Sequence, residues 1–253
     1  MKRLSIYGMM MVCALALTFV SCGDDDKRDD APTTFAVTPD NVTMYAGQTK
    51  QLSAVGATQW SSDNEFVASV DKKGLIQANH VGTANILASD GNAMGQCAVT
   101  VQPQYNCWAT PLLTWGASMS EIAEAETHQL EITAERYLVY SYPEGSTSAM
   151  VQYLFDNRGL EGINVVADAS EYNTVASFLS ERYLFYKQDD EGVNYFINAT
   201  TLETSTMVVA LSNLINRGTN FTVVTYICNV SRSSGPIEAP RRALSSLLST
   251  TLH

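Results

Sequence analysis

Histidine is scarce in this sequence: His80, His128 and His253 are the only three, and no pair of them stands at metal-ligand spacing. The five cysteines form no Cys-x-x-Cys motif, and no Gly-rich phosphate loop follows a strand-like segment. Composition leaves a Ser-His-Asp triad open, but Gly-x-Ser-x-Gly is missing and no serine stands on a recognisable elbow. Paired carboxylates for glycoside hydrolysis would need a cleft that two small units do not provide. No catalytic residue, metal or cofactor is therefore assigned, and an enzyme is not expected. Basic residues are also few. Lys and Arg number 15 against 26 Asp and Glu, a net charge of −11 that repels phosphate backbones and argues against nucleic acid. No polybasic patch offers a contact with lipid headgroups.

The N-terminus has its own pattern. Met1-Lys2-Arg3 is positive, and Leu4 to Val20 is apolar apart from Ser5, Gly8 and Thr18, the pattern of a signal peptide over residues 1–21. The run falls short of the ~20 residues a retained spanning helix needs. Small residues follow at Ser21-Cys22-Gly23, and then the acidic run Asp24-Asp25-Asp26. This stretch resembles the cleavage and acylation site of bacterial lipoproteins, with Phe19 where the family favours Leu. The resemblance implies that Cys22 is lipidated and becomes the first mature residue. Its several acyl chains, at ~0.8 kcal/mol per methylene, suffice for stable anchoring. Loss of Lys2 and Arg3 shifts the charge from −11 to −13. Residues 22–33 read as a flexible acidic tether. Acidic residues directly after the cysteine also resemble the export signal of surface lipoproteins of the Bacteroidota, which implies an outer-membrane protein exposed on the cell surface; the periplasmic leaflet is the other placement.

With Cys13 removed and Cys22 acylated, Cys97, Cys107 and Cys228 remain. An odd count leaves at least one thiol free. Two readings stand: a Cys107–Cys228 disulfide closing a long loop, worth ~4–5 kcal/mol in the chain-entropy account, or three buried thiols acting as small apolar groups.

Residues 34–102 read as short alternating strands separated by turn residues, with no helical period: an all-β sandwich. Pro39, Gly47-Gln48-Thr49, Trp60-Ser61-Ser62, Val67 to Asp71, Gly74-Leu75-Ile76, Gly82 to Ile86 and Val99-Thr100-Val101 resemble the bacterial immunoglobulin-like domain of group 2. The resemblance implies a spacer or support of the kind found in bacterial surface proteins, including adhesins, without catalytic residues. Trp60 is the large side chain that a thin sandwich places between its sheets.

After a linker at 103–107 the pattern changes. Ser118-Met119-Ser120-Glu121 is a capping box and predicts a short helix over Met119 to Thr127. Tyr172, Val175, Leu179 and Tyr183 form one apolar stripe of a second helix. Glu135-Arg136-Tyr137-Leu138-Val139-Tyr140 returns as Glu181-Arg182-Tyr183-Leu184-Phe185-Tyr186, and further pairs follow in order. These repeats predict an α+β two-layer domain over 108–230, built from duplicated helix-plus-antiparallel-strand units at about 117–167 and 169–230. Several strands are apolar on both faces, so the face away from the helices needs a cover, either the Ig-like unit or a ligand. The arrangement resembles the tandem repeats of β-lactamase inhibitor proteins and the small lipoproteins of outer-membrane assembly. Trp108 and Trp115 form either a binding lip or, the favoured reading, a seal at the domain junction or a cap on the sheet, and Tyr140 and Tyr186 are further candidate binding residues. Asp189-Asp190-Glu191-Gly192 reads as a hairpin turn rather than a calcium loop. Residues 231–253 are expected to be a mobile tail, with some helical character from Arg241 to Leu252.

The function these readings predict is a non-catalytic surface lipoprotein. An Ig-like stalk presents a recognition domain for a glycan or host protein, as in adhesion and carbohydrate binding. The alternative is a periplasmic or outer-membrane assembly or inhibitor lipoprotein that binds a protein partner.

Overall fold

Alternation of apolar and polar residues sets the strands of the first domain. They are Thr33–Thr34 (β1), Asn41–Tyr45 (β2), Thr49–Gln51 (β3), Gln59–Ser62 (β4), Ala68–Val70 (β5), Leu75–Ala78 (β6), Gly82–Ser89 (β7) and Ala93–Gln102 (β8). In β8 the residues Cys97, Val99 and Val101 point inward while Gln96, Ala98 and Thr100 face solvent, the period of two that a one-sided sheet requires. One sheet runs β1-β8-β7-β4 with β2 also on β8, and the other runs β3-β6-β5. β1 and β2 run parallel to β8. Met44, Leu52, Ile76, Ile86, Cys97 and Val99 form the core between the sheets. Trp60 packs against that core, its ring over Gly74, where an added Cβ would come within 2.8 Å of the indole.

The second domain consists of Met119–Ala125 (α1), Gln129–Thr133 (β9), Tyr137–Ser141 (β10), Ser148–Asp156 (β11), Gly159–Asp168 (β12), Tyr172–Ser180 (α2, entered through a 3-10 turn), Leu184–Gln188 (β13), Asn194–Ile197 (β14), Met207–Asn216 (β15) and Thr219–Cys228 (β16). All eight strands join one antiparallel sheet in the order β13-β14-β15-β16-β12-β11-β10-β9. The computed structural model describes residues 33–34, 36–143 and 146–229. The signal, most of the tether with Cys22, and the tail lie outside them.

The expected α+β class needs correction: this domain is largely β, with two short helices on a wide sheet. The helical stripes were real but brief. α1 starts on the predicted capping box, in which Glu121 N–H donates to Ser118 Oγ at 3.3 Å and Ser118 N–H donates to Glu121 Oε2 at 2.8 Å. It stops at Ala125, where the Glu126 carboxylate accepts from the N–H groups of Thr127 and His128 and turns the chain.

Each half of the domain runs helix then four strands, and the strand order is mirrored about the β12–β16 pair. Position in the sheet pairs β9 with β13 and β10 with β14. The two Glu-Arg-Tyr hexapeptides therefore occupy different places: Tyr137–Tyr140 lies on β10, second in its half, and Leu184–Tyr186 on β13, first in its half.

Candidate functional site

Trp108 is buried. Its indole packs on Phe178 of α2 with ring centroids 4.7 Å apart, and its Nε1–H donates to Tyr226 Oη at 3.3 Å. Tyr140 is buried as well, edge-on to Tyr153 at 5.9 Å, and Trp115 is half-buried against the same core. The segment carrying the two tryptophans thus lies on the helix side of the sheet. Leu112 N–H donates to Tyr153 Oη at 3.2 Å, Gly116 N–H donates to the Leu160 carbonyl at 3.0 Å, and Leu160 N–H donates to the Ala117 carbonyl at 2.8 Å. Cys97 and Cys107 are buried and Cys228 is half-buried, all three as free thiols; burial pushes the Cys107 thiol up to about 11. Cys22 lies outside the described residues. Of the sequence's candidates, Tyr186 is the one left on the surface, 42% exposed.

Tyr186 belongs to an aromatic strip. Leu184, Phe185 and Tyr186 are all exposed because β13 is an edge strand with a register shift between Phe185 and Lys187. Successive residues on a strand point to opposite faces, so only an edge of this kind leaves three in a row open. Beside the strip is an open groove of about 360 Å³ between the two domains, lined by Glu65, Phe66, Gln77, Asn79, His80 and Leu184 among others. Phe66 and His80 stack face to face, with centroids 4.1 Å apart, and His80 Nδ1 lies 2.7 Å from the Phe66 carbonyl. Burial lowers the His80 pKa below its ordinary 6.5, which keeps the ring neutral at pH 7. Flat apolar faces ringed by amide and carboxylate groups suit a sugar ring or an aromatic side chain.

Glu181, at the end of α2, ties the interdomain linker to the head. Its buried carboxylate accepts from Gln104 N–H at 2.8 Å and from Tyr105 N–H at 3.1 Å, and it pairs with the Arg182 guanidinium. Arg182 in turn donates to the Tyr105 carbonyl at 3.1 Å and lies 3.8 Å above the Phe178 ring. The Glu181 carbonyl accepts from Val81 N–H at 2.6 Å, a direct bond to the first domain. The repeated Glu-Arg-Tyr triplet was visible in the sequence; that its second copy clamps the interdomain linker was not, since its partners are backbone groups 76 and 77 residues away. Phe66 and His80 carried no sequence signal, because they are neighbours only through the fold.

Asp189 tightens the β13–β14 hairpin: Oδ1 accepts from the N–H groups of Glu191 and Val193, and Oδ2 accepts from Tyr195 Oη–H. Among the described residues no cluster of three His, Cys, Asp or Glu groups is placed to hold a metal ion, and no helix is long and apolar enough to cross a membrane.

Residues 31–101 match the family of the bacterial Ig-like domain (group 2), and that part of the chain is such a domain. A stretch of 81 residues is 35% identical to ice-binding protein 1 of Shewanella frigidimarina, covering 27% of this chain and 9% of that protein. Among solved structures, domains 5-6 of the S-layer protein SbsC align over 78% of this chain and 85% of theirs, at 15% identity and a TM-score of 0.24. Domains 4-9 of the same protein align at 16% identity and a TM-score of 0.24, over 80% of this chain and 28% of theirs. Likeness at that level carries no argument about fold or role. The Ig-like domain itself fits a non-catalytic place at the cell surface.

Proposed function

We propose that this is a cell-surface lipoprotein, held in the outer membrane by lipid on Cys22, whose Ig-like domain carries the eight-stranded domain as a recognition head for a glycan or host protein. The observation that carries this reading is the exposed aromatic strip Leu184-Phe185-Tyr186 beside the Phe66–His80 groove. A rigid aromatic surface loses little entropy on binding. Trp108 and Tyr140 serve the head by filling its core. The test is a glycan array and a host-protein pull-down with the whole mature chain and with its Phe185→Ala/Tyr186→Ala variant. Binding that the variant loses at unchanged melting temperature supports the reading; equal signal from both chains removes the groove from it.

A second reading has its own observation. β9 is exposed along its length, with Leu130 and Ile132 open, and a free strand edge suits a protein partner that adds a strand. That would be the periplasmic assembly or inhibitor protein. Protease added to intact cells distinguishes the two, since a periplasmic protein stays whole.

A further inference from the structure

The helix-bearing face of the eight-stranded sheet is not covered to its end. Leu211 on β15 and Val224 on β16 share the core with Val175 and Leu179 of α2. Two and four residues nearer the hairpin, the same face is continued by Asn213 and Ile215 on β15 and by Thr222 and Asn220 on β16. Asn213 and Asn220 are exposed and Ile215 is 69% exposed, so the helix layer stops short of them. An open cleft of about 470 Å³ results, with Ala169, Tyr172 and Asn173 supplied by the turn into α2 and Asn213, Ile215 and Asn220 by the sheet. Its size falls within the ~300–1,000 Å³ of small-ligand sites. It stands apart from the Phe66–His80 groove. Leu184 of that groove pairs with Ile197, which pairs with Val208, and Ile215 lies seven residues further along β15, ~24 Å at ~3.4 Å each.

We propose that this cleft is a further binding site of the head, for a neutral saccharide. Its chemistry is that of hydroxyl recognition. No lining residue carries a charge. A side-chain amide holds a donor and an acceptor side by side, which two neighbouring sugar hydroxyls match. Among the described residues the side-chain amides of Asn173, Asn213 and Asn220 make no hydrogen bond, so all three are open to a ligand. The Tyr172 ring and Ile215 supply the apolar surface on which the C–H face of a sugar ring packs. That ring is set in place beforehand: Asn194 Nδ2–H donates to Tyr172 Oη at 2.7 Å, and Gln188 Nε2–H donates to Asn194 Oδ1 at 3.1 Å. Preorganisation of this kind lowers the entropy lost on binding.

The inner end of the cleft is polar as well. Thr222, the cross-strand partner of Asn213, is fully buried, and its hydroxyl has no hydrogen-bond partner among the described residues. A buried hydroxyl left open costs free energy until a polar group meets it. Other ligand classes fit less well. An acidic sugar would find no cation in the lining and a net charge of −11 around it. A peptide is best held by an open strand edge, and β15 and β16 are interior strands.

The test titrates the full chain with neutral tetrasaccharides of glucose, of mannose and of galactose, with tetragalacturonate and with uncharged hexapeptides, read by calorimetry. At least one neutral tetrasaccharide should bind. Asn213→Ala/Asn220→Ala should weaken that binding by about tenfold or more at unchanged melting temperature. Ile215→Glu, a change at an exposed position, should weaken it too. The Phe185→Ala/Tyr186→Ala chain should bind the same sugar as before, which keeps this result distinct from that of the Phe66–His80 groove. No binding of any neutral sugar, tighter binding of tetragalacturonate or of the hexapeptides, full affinity in the asparagine variant, or a loss in the Phe185→Ala/Tyr186→Ala chain would each overturn the proposal.

Discussion

His80 and Gly159 show how single positions set the limits of this fold. His80 is held neutral by burial, against the opposing pull of the Phe66 carbonyl. The unfolded chain takes up a proton near pH 6.5 that the folded chain refuses, so the stability tied to this ring is whole above 6.5 and is lost as pH falls below it. Replacing His80 with Phe should therefore flatten the decline in urea-measured stability between pH 6.5 and 5, by less than about 1 kcal/mol because solvent reaches part of the ring. Gly159 is less forgiving. Its φ is +102°, and an added Cβ would stand 2.1 Å from the carbonyl oxygen of Gly116, a residue whose N–H is held by the Leu160 carbonyl on β12. Gly159→Ala should cost about 3 kcal/mol or more, read from the denaturation midpoint, with the tryptophan segment pushed off the sheet.

At the scale of elements, the legible parts of the sequence were those whose signals are local. The capping box gave the start of α1 at Ser118, and Ser118→Ala should lose about 1 kcal/mol by removing the acceptor of the Glu121 N–H. The alternation in β7 and β8 gave the sandwich, and Asp189 announced its hairpin. What was not legible depends on long-range pairing. Tyr140 and Tyr186 look equivalent in their hexapeptides, yet one lies in the core on β10 and the other on the free edge β13. Strand position in a sheet is set by partners far along the chain, and a local repeat carries no information about it. The same limit explains why the share of helix was overestimated: a stripe of period 3.6 marks a helix but does not show how much sheet surrounds it. Whether Trp108 and Trp115 formed a lip or a cap stayed open in the sequence, because the sheet that receives them is assembled from strands far along the chain.

For the whole molecule, the decisive group is Glu181, since one side chain joins linker, head and, through its own carbonyl, the Ig-like domain. Glu181→Ala should leave two backbone N–H groups without their acceptor and the Arg182 guanidinium without its carboxylate partner, a loss of about 2–3 kcal/mol. Calorimetry should then resolve one thermal transition into two, the domains melting separately; a single transition at the original temperature would mean the clamp is dispensable. The Ig-like domain adds a mechanical consequence. The chain comes in along β1 and β2 and goes out along β8, and these strands run side by side in the same direction. Tension between an anchored amino end and a grasped head would pull them past each other lengthwise, straining the whole row of cross-strand bonds at once instead of one after another. Under flow or tugging, such a joint yields late and abruptly, and a protein built this way would stay extended without coming apart.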